Sequence, residues 1–388
     1  NTTFDLERGP LIQAKLIKLS AHQHILLILQ HHIISDGWSI DVMLQELVRL
    51  YQLFNQGEAD TLPALALQYA DYAAWMDTQL NEAEASQDSA YWRKRLEDAP
   101  TLLELPAEKT RPPLQSYQGG KVKIEITEDL TATLRAFAQR HDISLYLLLL
   151  SLWSLLINRL SGQSDFLIGT PVANRDRVEL EPLIGLFANT LPLRINLNAQ
   201  ERVIDFIQRL SVETLEAFSH QKIPFERIVE IVQPERSLNR NPLFQVMFVL
   251  HQAEHNKQLR LADLDWQSID LPHVTSHFDL TLNLTDYGSH IGGQLEYACD
   301  LFEQETIERF ARHWLTLLHS ALKNANVRIN DLSILSDEEQ TKILLHFNQT
   351  RLAYDATALI HHLFEHQAER TPDAPALRWA DTRFSYRE

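Results

Sequence analysis

The sequence predicts a large mixed α/β protein without the regular strand–helix alternation of a doubly wound sheet. Three observations lead there. Residues 130–140, 145–160 and 303–325 read as helices, the last with apolar residues on one face. Residues 122–126, 280–284 and 294–298 alternate apolar and polar side chains as strands do. Hydrophobic residues make up 45% of the 388, enough for a sizeable buried core.

Residues 25–29 form a continuous apolar run of strand length, which predicts a strand buried on both faces. It runs into Gln30-His31-His32. Ser39 is placed to cap a helix through Ile40, Met43, Leu44, Leu47, Val48, Tyr51 and Phe54, with Gly57 at its end. Helices are expected next at 67–80 and around 91–96. Prolines at 100, 106, 112 and 113, interspersed with charges, read as a bridge between two halves. The helix at 145–160 is stopped by Ser161-Gly162, and strands follow at 165–169, 191–195 and 245–250. The alternating segments at 280–284 and 294–298 suit an antiparallel edge or hairpin. Past Asp331 the character changes. Asp337-Glu338-Glu339 opens a short helix, a polar stretch covers 348–355, and a new apolar pattern starts at Leu359. The expected organisation is one domain over 1–335 with its lobe boundary near 100–113, a linker over 336–358, and the start of another domain over 359–388. That last piece is too short to fold alone.

Charge and composition narrow the partners. With 52 acidic and 35 basic residues the net charge is -17, which repels nucleic-acid phosphates and anionic membranes. Cys299 is the only cysteine, so an internal disulfide and a cysteine-rich zinc site are excluded, and a reducing cytoplasm fits. The longest apolar run, 145–156, contains Tyr146, Ser151 and Ser154 and is too short to span a bilayer.

The chemistry concentrates in His31-His32-Ile33-Ile34-Ser35-Asp36-Gly37-Trp38. If both histidines continue the strand, their side chains point to opposite faces, so one meets a cleft while the other packs behind it. Asp36, four residues beyond His32, can fix a ring orientation or pair with a cation that shapes the loop. Gly37 allows a backbone conformation or close approach that a side chain would block. A helix starting just after points its positive end at this turn, where an oxyanion would be stabilised. A neutral imidazole can accept a proton from an attacking amine or hydroxyl, so acyl transfer is the natural reaction class. A purely structural histidine remains an open alternative. A zinc site is disfavoured by strand alternation and by the lack of a fourth ligand. A serine hydrolase is disfavoured because no nucleophile elbow is present.

His31 to Gly37 matches the HHxxxDG signature of the condensation-domain superfamily, and Trp38-Ser39 continues it as in peptide-forming members. Further segments resemble family motifs in the family's order. These are Tyr69-Ala70-Asp71-Tyr72-Ala73-Ala74-Trp75, then Ile168 to Pro171 with Asn174-Arg175, then Ile184 to Phe187 with Asn189 to Arg194. His220 to Glu226 and Arg240 to Gln245 resemble the two that follow. The resemblance spans about residues 4–335. The tail, from Leu363-Phe364 through Arg370-Thr371-Pro372-Asp373 to Phe384-Ser385-Tyr386-Arg387-Glu388, resembles the first strand and helix of an adenylation domain.

The resemblance implies two lobes in a V shape, each similar to chloramphenicol acetyltransferase, with the N-terminal lobe truncated because two upstream motifs are not found. It implies amide-bond formation between donor and acceptor thioesters on carrier domains, within a nonribosomal peptide synthetase. The 4'-phosphopantetheine arms belong to the upstream donor and downstream acceptor carriers, and the domain itself binds no cofactor or metal. An adenylation domain follows in the same chain. The implied site is His32 at the reacting centre with Asp36 and Gly37, while His31, Ser35 and Trp38 line the substrate passage. In related proteins an arginine from the upstream motifs pairs with the aspartate, so the partner of Asp36 stays unassigned. Trp75, Phe187 and Phe225 are expected in the core. Arg194, Arg236 and Arg240 are candidates for a carrier's phosphate, with surface ion pairs as the alternative. An epimerisation domain of the same fold and a non-catalytic recruiting module are the competing functions. A heterocyclising relative would replace the histidines by aspartates, and a coenzyme A-dependent acyltransferase would carry a DFGWG motif that this chain lacks.

Overall fold

The computed structural model describes residues 3–82, 87–235, 237–253, 264–267, 269, 275–351 and 359–388. Two compact units emerge, Asn1–Ser336 and Asp337–Glu388.

The first unit opens with an antiparallel hairpin, β1 (Ile12–Lys18) and β2 (His24–Gln30), in which Ile12 faces Gln30 and Lys18 faces His24. Three helices follow: α1 (Gly37–Asn55), α2 (Tyr69–Glu82) and α3 (Gln87–Arg95). Then come β3 (Gly119–Ile126), α4 (Glu128–Arg140), α5 (Leu145–Ser161), β4 (Asp165–Val172) and β5 (Asn189–Asn196). Helices α6 (Val203–Ser219) and α7 (Phe225–Val232) precede β6 (Val246–Gln252), β7 (Leu280–Asp286), β8 (Ile291–Ala298) and α8 (Gln304–Lys323). Strands β3 to β8 form one mixed sheet in the order β3-β8-β7-β6-β4-β5. Only the β4–β6 and β6–β7 pairs are parallel.

The two faces of this sheet differ. Strand alternation sends Ile168, Val246, Phe248, Leu280, Leu282 and Leu295 to one face, where they are buried with α5, α6 and α8. Helix α5 is apolar nearly all round, as a helix enclosed by a core must be. Its Ser151 and Ser154 donate to the carbonyls of Leu147 and Leu150, so neither hydroxyl is left unsatisfied. Ser144 caps its start, and Gly162, at φ 72°, ends it in the left-handed region. The other face carries Met247, Val249 and His251 on β6, in register with Thr281, Asn283 and Thr285 on β7. Helices α3 and α7 pack on each other and α7 on β5, while the Phe244 ring lies so close over Gly169 that a Cβ there would sit 2.1 Å from it.

One sequence expectation here needs correction. Strand β2 is not buried on both faces; Leu26 is 49% exposed, because among the described residues the hairpin has two strands and little covers it. Strands β7 and β8 form the expected antiparallel hairpin, and it lies in the middle of the sheet, which is why nearly all of β7 is buried. The proline-rich segment 100–113 is strapped to the sheet. The Leu103 N–H donates to Gln245 Oε1 at 2.7 Å, and Arg111 pairs with buried Asp279. Trp92 and Leu96, upstream of that segment, already belong to the main core.

The second unit contains α9 (Asp337–Thr341), a π-helical turn Lys342–His346, α10 (Ile360–Arg370) and a hairpin of β9 (Pro375–Trp379) with β10 (Thr382–Ser385). Its order is therefore helix, then two strands. Part of the expected linker, 352–358, lies outside the described residues. Among the described residues no single helix is long and apolar enough to cross a membrane.

Candidate active site

Strand β2 ends at Gln30, so the two histidines do not alternate along it. His31 has extended backbone (φ -78°, ψ 137°), its N–H donates to the Leu11 carbonyl at 2.9 Å, and its Nδ1 accepts from the Ile33 N–H at 3.1 Å. It thereby caps a single 3-10 turn, His32–Ile34. That turn, and not the pleat of a strand, separates the rings. His31 is half-buried edge-on to Phe4, with ring centroids 6.0 Å apart, whereas His32 is exposed. The Nδ1 of His32 lies 2.5 Å from the Ser35 carbonyl oxygen. A carbonyl can only accept, so Nδ1 is the donor, and in the neutral ring the lone pair sits on Nε2. Ser35, expected along the substrate passage, is 3% exposed. Its hydroxyl accepts from Gln30 Nε2 at 3.1 Å and donates to the Asp36 carbonyl at 3.3 Å, so it builds the turn.

Asp36, not Ser39, is the N-cap of α1. Its Oδ1 accepts from the Ser39 N–H at 2.8 Å, the bond an N-cap carboxylate makes to the third helical residue. Oδ2 accepts from the N–H groups of Phe187 at 2.9 Å and Ala188 at 3.1 Å, and Arg175 Nη2 stands 3.4 Å from Oδ1. The carboxylate is 3% exposed. Burial pushes its pKa up, but the bonds from Ser39 and Phe187 and the Arg175 charge outweigh that and hold it below the ordinary value. Ser39 sits inside the first turn. Its Oγ donates to the Gly185 carbonyl at 2.7 Å and accepts from Arg175 Nη2 at 2.8 Å and the Gly185 N–H at 3.0 Å.

Arg175 is the partner of Asp36 that the sequence leaves unassigned. It comes from the loop after β4, far downstream. Its Nη1 donates to the carbonyls of Leu180 at 2.5 Å and Leu183 at 2.8 Å, and its guanidinium lies over the Phe187 ring at 4.0 Å and the Trp38 ring at 5.6 Å. The preceding Asn174 is left-handed (φ 52°) and donates to Tyr72 Oη at 3.2 Å. The signal that could have found it is chemical: a buried carboxylate needs a cation, and Asn174-Arg175 stands in one of the family-like motifs. Gly185 is required by close approach, since a Cβ would fall 2.0 Å from the Tyr69 ring.

The remaining candidates fall as follows. Gly37 is the first residue of α1, its φ lies outside the left-handed region, and no atom lies within 4 Å of where its Cβ would be. Neither reason expected for a glycine is met by the protein's own described atoms. Trp38 is 42% exposed with its Nε1 donating to the Glu181 carbonyl at 3.0 Å. Phe187 is buried and Phe225 packs on Phe244, while Trp75 is partly exposed beneath Arg177. Arg194 forks onto Asp165 at 3.0 and 2.7 Å, and Arg240 lies 3.8 Å from Glu235. Arg236 lies outside the described residues. Among the described residues no group of three His, Cys, Asp or Glu is placed to hold a metal ion.

The turn thus presents one imidazole nitrogen that has no bond among the described residues, a few residues ahead of the fixed start of α1. The family model described as "Condensation domain" matches residues 1–344. The chain is 42% identical over 385 residues to malpibaldin synthetase of Mortierella alpina, covering 99% of this chain and 7% of that protein. It is 38% identical to one of the plipastatin synthase proteins of Bacillus subtilis (strain 168), covering 99% of this chain and 10% of that one. The chain therefore spans a small part of the curated relatives it matches. Among solved structures, the X-domain from teicoplanin biosynthesis superposes with a TM-score of 0.77 at 29% identity, over 86% of this chain and 77% of that one. A four-domain nonribosomal peptide synthetase bound to AMP and glycine shares the fold, with a TM-score of 0.84 at 23% identity over 99% of this chain and 30% of that one. The mixed sheet with its helical layer is the α/β architecture of these neighbours. The chain belongs to the condensation-domain family of nonribosomal peptide synthetases, whose members are acyltransferase-type, peptide bond-forming domains.

Proposed function

We propose that this chain joins a donor acyl or peptidyl thioester to an acceptor aminoacyl thioester, both tethered to phosphopantetheinyl carrier domains, in the cytoplasm. The observation that carries the reading is His32: its ring is exposed, its Nδ1 is held by the Ser35 carbonyl, and its Nε2 is free. The acceptor's amine nitrogen attacks the donor's thioester carbon. A C–N bond forms, the C–S bond breaks, and the proton shed by the nitrogen ends on the departing thiolate. His32 Nε2 accepts the hydrogen bond of the attacking amine, and the N-terminus of α1 faces the charge that develops on the carbonyl oxygen. No acyl-enzyme is needed because the thioester arrives activated. Tethering both reactants supplies part of the rate through proximity. In this reading Asp36 and Arg175 hold the turn, Trp38 and the open space beside Gly37 border the substrates, and His31 fixes the turn's geometry. The Trp38-Ser39 continuation suggests two L-configured units, and an adenylation domain beginning near Leu359 would load the acceptor.

The test is a condensation assay with both carriers loaded. His32→Ala should lower the dipeptide rate by about 10²–10⁴-fold, the range of one general acid–base group, with an unchanged melting temperature. Equal dipeptide from the variant overturns the reading. A second reading, a recruiting module, is favoured by the likeness to the X-domain, which has also been solved in complex with OxyB. It predicts no dipeptide from the wild-type protein. Exchange of the donor's α-proton without dipeptide would instead indicate epimerisation.

A further inference from the structure

The motif that opens α2 takes no part in the step proposed for His32, yet it touches the site's anchor. Its aromatic residues Tyr69, Tyr72 and Trp75 recur every three positions, so they share one face of the helix. That face meets the segment that grips Asp36. The Tyr72 hydroxyl accepts from Asn174, Arg177 lies 5.4 Å over the Trp75 ring, and the Tyr69 ring stands edge-on to Phe187 with centroids 5.2 Å apart. Tyr72 and Phe187 are buried with Leu180 and Leu183 in a small cluster of their own, apart from the main core.

One hydroxyl carries the connection further. Tyr69 Oη donates to the Leu186 carbonyl at 2.9 Å, and the Phe187 N–H donates to Asp36 Oδ2 at 2.9 Å. That carbonyl and that N–H belong to the same peptide unit. A peptide plane is rigid, so a bond that fixes one end orients the other. Hydrogen bonds in series also polarise one another, and a carbonyl that accepts makes its own N–H a better donor. Burial, and after it the nearby Asp36 charge, push the Tyr69 phenol pKa up, so the hydroxyl keeps the proton that the Leu186 carbonyl needs. Asp36 in turn adjoins Ser35, whose carbonyl holds His32 Nδ1. The series runs from α2 through one peptide to the carboxylate, and from there along one residue of chain to the group that holds the reactive ring.

We infer that Tyr69 is a positioning residue for the reaction: its hydroxyl sets the Leu186–Phe187 peptide against Asp36 and so fixes the turn that aims His32. This rests on the condensation reading above. The experiment uses the full-length synthetase with a loaded donor carrier and a soluble acceptor, an aminoacyl N-acetylcysteamine thioester, at varied concentration and well below the melting temperature. Tyr69→Phe keeps the ring and removes only the hydroxyl. It should lower kcat about fivefold, the worth of one hydrogen bond, with the acceptor KM nearly unchanged. In Asp36→Asn, which loses the charge and one acceptor oxygen, the same change should cost less than about twofold. The urea midpoints of the four proteins carry the same cycle, so it reads out even where Asp36→Asn makes no dipeptide. An equal fall in both backgrounds would make the hydroxyl a local support of Leu186 and overturns this inference alone, as does a wild-type kcat in Tyr69→Phe. A wild-type enzyme that makes no dipeptide overturns the condensation reading, and this inference with it.

Discussion

The two ends of one short turn are solvated in opposite ways. Asp36 is buried under hydrogen bonds from Ser39, Phe187 and Ala188 with Arg175 alongside, while the ring of His32, four residues earlier, is exposed and, among the described residues, bonded only to a carbonyl of its own turn. The difference separates an anchor from a working group. A carboxylate with every lone pair engaged cannot take part in proton transfer, but it can fix where α1 begins and so where His32 points. An imidazole with one nitrogen tied and one free is oriented and still able to react.

The sharpest way to break this comparison is Arg175→Ala. It leaves Asp36 buried without its cation and removes a donor from the carbonyls of Leu180 and Leu183. Breaking such a buried pair costs about 3–5 kcal/mol. Urea denaturation should show that loss as a lower midpoint with an unchanged slope. A change below about 1 kcal/mol, the range of an exposed ion pair, would mean that Arg175 is not an anchor.

Acid tests the other partner. The folded-state pKa of Asp36 lies below its unfolded value near 3.8, so its contribution to stability is complete above that value. It is lost as pH falls through the lower, folded-state value. Wild type should therefore lose stability more steeply than Asp36→Asn over this acid range, while the two curves run parallel above about pH 5. Equal slopes in acid would place the titrating carboxylates elsewhere.

How much of this is legible in the sequence follows from which interactions are local. The helix α5 and its stop at Gly162, the strands β4 to β8 and the long helix α8 are written in periodicity and turn chemistry, and the sequence expectation places each within a few residues. Sequence reasoning puts the cap of α1 at Ser39 instead of Asp36 although both are good N-caps, because the choice depends on Phe187, Ala188 and Arg175, roughly 140–150 residues away. The position of β7 and β8 inside the sheet is hidden for a similar reason. Alternation fixes which residues share a face, whereas sheet order depends on which strands join on either side. His31 and His32 read as strand residues because nothing in Gln30-His31-His32 marks the 3-10 turn. The Leu11 carbonyl that receives the His31 N–H belongs to the partner segment.

The smallest expected effect is also the most discriminating. Gly185 and Gly37 flank the same anchor, but only at Gly185 would a Cβ strike the protein, 2.0 Å from the Tyr69 ring. At Gly37 nothing among the described residues lies within 4 Å. Alanine at the first position of α1 is favourable to neutral for a helix, so Gly37→Ala should change stability by less than about 0.5 kcal/mol. If the open space beside Gly37 belongs to the tethered substrates, the same variant should slow dipeptide formation severalfold without moving the denaturation midpoint. A rate equal to wild type would show that the substrates do not come that close, and that the glycine answers to nothing in the reaction.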